Sequence, residues 1–287
     1  MVTTIIRYET PQQFKEAVFP FLLEKEALHI IQLGVISNWL QFPDRYSEAY
    51  LASIHEDGDI VGTAMMTLPH PLQLSDMDVA YVDVLIDDLY TLYDHISGVS
   101  GTVTLSDAFV ENWTQRRGQS AVLSMVQGLY QLEAVTPPQG VQGQMRAAAS
   151  DDVPLLAQWM MDFSTEALSE SASLDDTIKA VERRLSHPDA MLYIWDVEGE
   201  RVSMAGVSGP TQNGIRVNAV YTPPEKRGKG YASACVAAVS QLMLHKGRRY
   251  CFLYTDMANP VSNSIYQKIG YRYLGNVNMY HFDVAQA

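Results

Sequence analysis

A loop rich in glycine and basic residues, set between an apolar strand and an apolar helix, constrains this sequence most. It runs from Ala219 to Ala232 and reads AVYTPPEKRGKGYA. The two prolines end the strand because proline cannot donate to a β ladder. An alanine-rich helical pattern follows from Gly230 to His245. Since a helix N-terminus offers unpaired N–H groups and a positive dipole end, the loop predicts a phosphate-binding site.

The loop matches neither of two common nucleotide-binding patterns. The sequence has no Gly-x-x-x-x-Gly-Lys-Ser/Thr segment, so a Walker loop is excluded. The Gly-x-Gly-x-x-Gly pattern of dinucleotide sites begins at Gly228 and Gly230, but its third glycine position holds Ser233. A phosphate ligand of a different kind is therefore expected.

A second motif lies about thirty residues further on. Asn259 and Ser262 precede Tyr266 on a predicted helix from Pro260 to Ile269, and the turn Lys-Ile-Gly-Tyr ends it at 268–271. Together the two motifs resemble the signature of the GNAT superfamily of N-acetyltransferases. That signature has Arg/Gln-x-x-Gly-x-Gly/Ala at a strand-to-helix turn, then Asn-x-x-Ala/Ser-x-x-x-Tyr. The resemblance covers about residues 144–283.

The resemblance implies a role in acetyl-CoA binding or catalysis for each matching residue. Tyr266 would protonate the departing thiolate, and a backbone N–H at the end of the 215–222 strand would stabilise the oxyanion. The strand end would dock the pantetheine arm, the loop N–H groups would hold the pyrophosphate, and the second motif would bond the cofactor nearby. The residues expected to bind the cofactor are Val220, Tyr221, Thr222, Arg227, Gly228, Lys229, Gly230, Tyr231, Ala232, Asn259 and Ser262.

The implied activity is that of an acyltransferase. Acetyl-CoA would donate its acetyl group directly, in a ternary complex, to a primary amine of a small molecule or a protein. A non-catalytic acyl-CoA-binding regulatory protein is the alternative. The general base stays open, since a carboxylate or a water chain can take the proton of the amine. The resemblance places Asp162, Glu166 and Glu170 where the first helices wall the acceptor site, and Asp256 lies just past the strand before Asn259.

Structural interpretations compete with these roles. Tyr266 fits a core tyrosine, and Asn259 fits a helix N-cap next to Pro260. Cys235 and Cys251 are expected to be buried, inert thiols, because they form neither a disulfide framework nor a metal-ligand pattern.

The chain of 287 residues is long enough for two domains. The segment VTPPQGVQG at 135–143 is uncharged and rich in proline and glycine, which is typical of a linker. We predict an N-terminal α/β domain at 1–135, a linker at 136–143 and an acetyl-CoA-binding domain at 144–287. The second half has the element order β-α-α-β-β-β-α-β-α-β, which indicates a mixed, mostly antiparallel sheet with flanking helices.

The first half carries no second copy of the loop signature. Its glycines at 98 and 101 lack the basic residue, although its order of elements resembles a degenerate GNAT fold, as in bacterial tandem members. Predicted elements include a helix at 11–24, a hairpin around EDGD at 56–59, and a strand at 81–86.

Charge and composition limit the partners. The net charge is −13, and residues 1–144 contain 6 basic and 18 acidic residues. Nucleic acid and membrane surfaces are therefore not expected as partners, whereas a cationic substrate is compatible with the charge. We expect a cytoplasmic location, no metal, and either a monomer or a homodimer.

Overall fold

The fold is described from a computed structural model, which covers residues 2–168, 173–187 and 189–283. The described chain forms two compact units. The first comprises the residues up to Leu129 together with those from Leu274 onwards, and the second is Tyr130–Tyr273.

These units differ from the predicted domains at both ends. The expected linker, 136–143, falls inside the second unit, where the N–H group of Thr136 donates to the carbonyl of Ile269 at 2.7 Å. The last strand of the chain contributes mainly to the first unit. The division at 1–135, 136–143 and 144–287 stays a prediction for domains that fold independently.

The first unit has an α/β fold whose strands are mostly antiparallel. Strands β1–β4 follow one another across the sheet, and β5 pairs with β4 in parallel and with the last strand, Arg272–Phe282, in antiparallel orientation. Its elements are β1 Thr3–Arg7, α1 Pro11–Glu24, α2 Ile30–Gln41, β2 Ala49–Glu56, β3 Asp59–Thr67, β4 Leu72–Leu74, α3 Val82–Tyr90, β5 Gly98–Thr102, α4 Val103–Arg117 and β6 Ala121–Leu132.

The predicted strand at 81–86 is wrong, because this segment begins helix α3. The buried residues of α3 are Val82, Leu85, Ile86 and Leu89, whose spacing places them on one helical face. Three aspartates, Asp83, Asp87 and Asp88, lie between these buried residues and hid the helical period in a short window.

The second unit has the predicted order of elements. Its strands run β11-β10-β9-β8-β7 across the sheet, antiparallel except for the parallel pair β10 and β11. The elements are β7 Gln144–Ala147, α5 Val153–Phe163, α6 Leu174–Leu185, β8 Leu192–Val197, β9 Glu200–Ser208, β10 Gly214–Tyr221, α7 Tyr231–His245, β11 Tyr250–Asp256, α8 Pro260–Ile269 and β12 Arg272–Phe282. Helix α5 continues as a π-helical turn over Ser164–Leu168.

Helices cover both faces of this second sheet. Helix α7 packs on one face against a core that includes Ile215 and Val217 of β10. Helices α5 and α6 cover the other face, whose core includes Ala219 and Tyr221. The mixed, mostly antiparallel sheet with flanking helices is therefore confirmed.

A buried carboxylate fastens the start of α5 to the strands. Asp152 is 1% exposed and accepts hydrogen bonds from Arg146 at 2.6 and 2.9 Å and from the N–H group of Ala149 at 2.8 Å. Arg201 lies 2.8 Å away. The hydrogen bonds from Arg146 lower the pKa of Asp152, so the charged form is the stable one in the folded chain.

We expect Asp152→Asn to destabilise the second unit by about 3 kcal/mol, because two arginines would lose their shared carboxylate. Calorimetric unfolding checks this loss. Asp151→Asn is the matched control, since Asp151 is the exposed neighbour and should change the unfolding temperature little. Equal stability of the two variants would contradict the role given to Asp152.

A buried histidine makes the first unit sensitive to acid. The ring of His29 places Nδ1 2.8 Å from the carbonyl of Leu22, and Nε2 3.0 Å from the N–H group of Asp76. Nδ1 therefore carries the proton and Nε2 accepts. Burial lowers the pKa of His29, because the charged imidazolium would lose its hydration in the core.

Since the pKa of His29 is lowered on folding, its contribution to stability is present above about pH 6.5 and is lost as pH falls below that value. We expect the unfolding temperature of the first unit to drop between pH 7 and pH 5. His29→Gln should lower stability at pH 7 and flatten this dependence. His95→Gln, at an exposed site in the same unit, should leave the pH dependence as it is.

Candidate functional site

Strand β10 carries a bulge where it crosses the centre of the second sheet. Asn218 pairs with Gly206 of β9 and Tyr221 pairs with Met204, so three steps along β10 match two along β9. Ala219 sits at φ 50°, in the left-handed region that a residue with a side chain rarely adopts. A bulge leaves backbone groups of the extra residue out of the ladder. This free backbone lies at the strand end where the oxyanion donor was expected.

The bulge coincides with an opening between β10 and β11. Parallel pairing joins residues 214–216 to 250–252 and extends no further between these two strands in the described residues. Strand β10 continues to Tyr221 and β11 to Asp256, so their facing edges hold N–H and C=O groups without a partner strand. A ligand rich in amide groups can dock in such a gap as an added strand.

The glycine loop delivers free N–H groups to the start of α7. Gly228 and Gly230 adopt φ 80° and 79°, and Gly230 is an N-cap without a side chain. Within the described chain, the N–H groups of residues 228–233 have no hydrogen-bond acceptor. They lie on an exposed stretch that also carries the Lys229 ammonium. The arrangement can bind a phosphate group through backbone donors and the helix dipole.

Arg227 is expected to bind the cofactor, and in the structure its guanidinium contacts other protein groups. Its Nη2 lies 2.6 Å from Oε2 of Glu166, and its Nε donates to the carbonyl of Thr222 at 2.8 Å. The same guanidinium lies 5.7 Å from the centre of the Tyr221 ring. The Tyr221 hydroxyl donates to Oε1 of Glu166 at 3.1 Å. Burial and this bond raise the pKa of Tyr221 to about 12.

Tyr266 differs from the tyrosines around it. Its side chain is 7% exposed, yet its hydroxyl makes no hydrogen bond with any described residue. The neighbouring hydroxyls are engaged, since Tyr271 lies 2.8 Å from Ser240 Oγ and Tyr130 donates to Asn263 at 2.8 Å. Burial raises the pKa of Tyr266 to about 12, so its phenol stays protonated. A ring held in the core with an unengaged hydroxyl can donate that proton to a ligand.

Asn259 is the N-cap of α8, as the structural interpretation predicted. Its Oδ1 accepts from the N–H group of Ser262 at 3.0 Å. The amide nitrogen of its side chain has no acceptor among the described residues, so it can still donate to a ligand. Cys235 and Cys251 are buried, and burial raises the pKa of each thiol to about 12. The expectation that both thiols are buried is confirmed.

The candidate bases occupy different settings. Asp162 accepts from Gln158 at 2.8 Å, and Asp256 accepts from the N–H group of Ala258 at 2.8 Å, which closes a turn. Glu166 lies on the π-helical turn and contacts two residues expected to bind the cofactor. Glu170 lies outside the described residues.

Two features of this site had no usable sign in the sequence. The bulge places alanine, not glycine, at a positive φ angle, so nothing marks residue 219 as special. The side chain of Trp159 packs against Tyr221 with ring centres 6.4 Å apart, but it reads as an ordinary core residue of α5. Glu166 was named in advance as a candidate base, but its contacts with Tyr221 and Arg227 were not predicted.

Comparison with known proteins identifies the second unit. The profile of the Acetyltransferase (GNAT) family matches residues 154–271. This chain carries a GNAT acetyltransferase domain. The matched range contains the bulge, the glycine loop and the whole of α8 with Tyr266. No match was found among curated protein sequences.

Solved structures extend the GNAT fold over both units. A GCN5-related N-acetyltransferase from Sphaerobacter thermophilus aligns with a TM-score of 0.61 and 12% identity, over 98% of this chain and 95% of that one. A GNAT-family acetyltransferase from Colwellia psychrerythraea gives 0.59 and 10%, over 98% and 100%. A tandem GNAT protein from the clavulanic acid pathway gives 0.57 and 10%, over 100% and 99%. The expected GNAT-like first half is thereby confirmed.

Among the residues that the structure describes, no group of three or more side chains is placed to hold a metal ion. None of the described helices is long and apolar enough to cross a bilayer.

Proposed function

We propose that the protein is an N-acetyltransferase that moves the acetyl group of acetyl-CoA directly to a primary amine of a small molecule or protein. The observation that carries the proposal is the Tyr266 hydroxyl, which is unengaged in the described chain beside α7 and α8 of a GNAT domain. Acetyl-CoA supplies an activated thioester, and the chain supplies binding, orientation and a proton.

The residues present fit the cofactor. The free N–H groups from Gly228 to Ala232 suit the pyrophosphate, and the unpaired edge at Val220–Thr222 suits the amide groups of the pantetheine arm. Asn259 and Ser262 border the same end of the sheet on α8. The loop N–H groups and the side-chain amide nitrogen of Asn259 have no acceptor among the described residues, so they can bind the cofactor without breaking a protein hydrogen bond.

Tyr266 would hold the proton that the leaving sulfur requires. Because burial raises the pKa of Tyr266 to about 12, the phenol keeps its proton until charge develops on the leaving sulfur. The proton would then pass from the phenol oxygen to that sulfur as the C–S bond breaks.

The bulge would stabilise the oxyanion. Its free backbone N–H is fixed before the reaction, because the strained φ angle of Ala219 is held by core packing on both sides. A preorganised donor of this kind is worth about 3 kcal/mol in related acyl transfers. The amine would approach from the α5–α6 side, toward which the side chains of Ala219 and Tyr221 point.

Thermal unfolding with acetyl-CoA, CoA and NADH tests the cofactor assignment. A ligand that binds only the native state adds about 2.7 kcal/mol at 100 times its Kd. We expect acetyl-CoA and CoA to raise the unfolding temperature of the second unit and NADH to leave it unchanged. If millimolar acetyl-CoA has no effect, the proposed cofactor site is wrong.

Gly228→Asp tests the loop against a matched glycine at the other end of α7. Gly228 and Gly247 share exposure and a positive φ angle, with no atom within 4 Å of an added Cβ. Asp at either position meets similar backbone conditions. We expect Gly228→Asp to weaken CoA binding at least tenfold in titration calorimetry, because its carboxylate would face the pyrophosphate. Gly247→Asp should bind CoA normally, and equal losses would contradict the assignment.

Tyr266→Phe separates an enzyme from a non-catalytic acyl-CoA-binding protein. We expect kcat to fall at least a hundredfold while the Kd for CoA changes little, because only the proton donor is removed. Tyr271→Phe, which loses the contact with Ser240, should lower stability and leave kcat near its original value. Unchanged turnover in Tyr266→Phe would show that another group gives the proton.

A further inference from the structure

An aromatic ring and a carboxylate on the α5–α6 face hold a positive charge that comes from the protein itself. Glu166 receives the Tyr221 hydroxyl on one oxygen and the Arg227 guanidinium on the other, at 3.1 and 2.6 Å. The guanidinium also lies 5.7 Å from the centre of the Tyr221 ring. Trp159 supports that ring from the core. A carboxylate beside an aromatic face is a recurring way to bind an organic cation.

The internal cation is easily displaced. The side chains of Arg227 and Glu166 are 48% and 44% exposed. Exposed ion pairs contribute about 0–1 kcal/mol, because water screens the charges and two flexible side chains must be ordered. A ligand that brings its own ammonium group can therefore replace Arg227 at modest concentration. Tyr221, by contrast, is buried and stays in place.

The group lies close to the expected reaction centre. Tyr221 follows the bulged residue Ala219 by two positions, which corresponds to roughly 7 Å along a strand. Both side chains face α5 and α6, the side from which the acceptor would approach. A second charge on the acceptor can thus reach Glu166 while its reacting amine lies at the bulge.

We infer that Glu166 and Tyr221 form a binding site for a second ammonium group of the acceptor, so that the substrate is a diamine or polyamine and not a monoamine. This inference rests on the proposed function for the identity of the reaction. Arg227 occupies the site in the absence of substrate, as an internal substitute for the ammonium group. The net charge of the chain, −13, favours accumulation of such a cation.

The position of Arg227 links this site to the cofactor loop. Arg227 directly precedes Gly228, where the free N–H groups begin. A pyrophosphate held there attracts the guanidinium away from Glu166, which vacates the ammonium site. CoA and the amine should therefore bind cooperatively. Bound CoA draws Arg227 out of the ammonium site, and a bound amine releases Arg227 to contact the pyrophosphate.

Titration calorimetry with 1,5-diaminopentane and pentylamine tests the inference on the full chain, with and without CoA. Both probes have a five-carbon chain with an amine at one end, and only the diamine carries a second ammonium group at the other end. With CoA present, we expect the diamine to bind at least tenfold more tightly than pentylamine. Glu166→Gln should abolish this preference. Glu182→Gln, which removes an exposed charge from α6, should preserve it.

Arg227→Gln supplies an independent measurement, made without CoA. Removal of the internal cation should tighten diamine binding severalfold over the unmodified protein. An unchanged preference in Glu166→Gln, an equal loss in Glu182→Gln, or unchanged diamine affinity in Arg227→Gln would overturn the inference. Failure of CoA to stabilise the protein would instead overturn the proposed function, so the two failures are distinguishable.

Discussion

The second unit depends on the way β10 leaves the ladder at Ala219. One extra residue turns Ala219 and Tyr221 toward α5 and α6, whereas Ile215 and Val217 face α7. The same irregularity accompanies the end of pairing with β11. Because main-chain groups are costly to bury without partners, such a gap persists only where water or a ligand can satisfy them. The strain at residue 219 and the free strand edges are thus two aspects of one ligand-binding gap.

The features predicted best from the sequence were those fixed by local chemistry. Helices α1 and α8 begin and end at the predicted residues, since proline and a capping side chain start each of them. The glycine loop and the Asn-to-Tyr spacing were recognisable because each needs particular residue types. Features that arise from pairing were missed: the three-residue strand β4 is too short to show a period, and the bulge at Ala219 has no residue signature.

The two units repeat the same order of elements, but the loops before the corresponding helices differ in their polar groups. In both, the helix after the fourth strand follows a short loop. In the second unit that loop ends in glycine and leaves the helix uncapped. In the first, Asp78 accepts from the N–H group of Ala80, and Asp76 pairs with Lys25 at 2.6 Å. Asp78 caps the 3-10 turn Val79–Tyr81 that leads into α3, so the first unit has carboxylates in the loop where the second unit has glycines.

The assignment of residues 274–282 to the first unit has a consequence for synthesis of the protein. Strand β12 pairs with β5 from Val277 to His281, and Phe282 joins the core around Trp113. A ribosome delivers β5 long before it delivers this partner. During that interval β5 exposes an unpaired edge, and the core lacks one aromatic side chain. The first unit therefore stays incomplete until residues 274–282 have been synthesised, after the whole of the second unit, and the edge of β5 must be protected from aggregation until then.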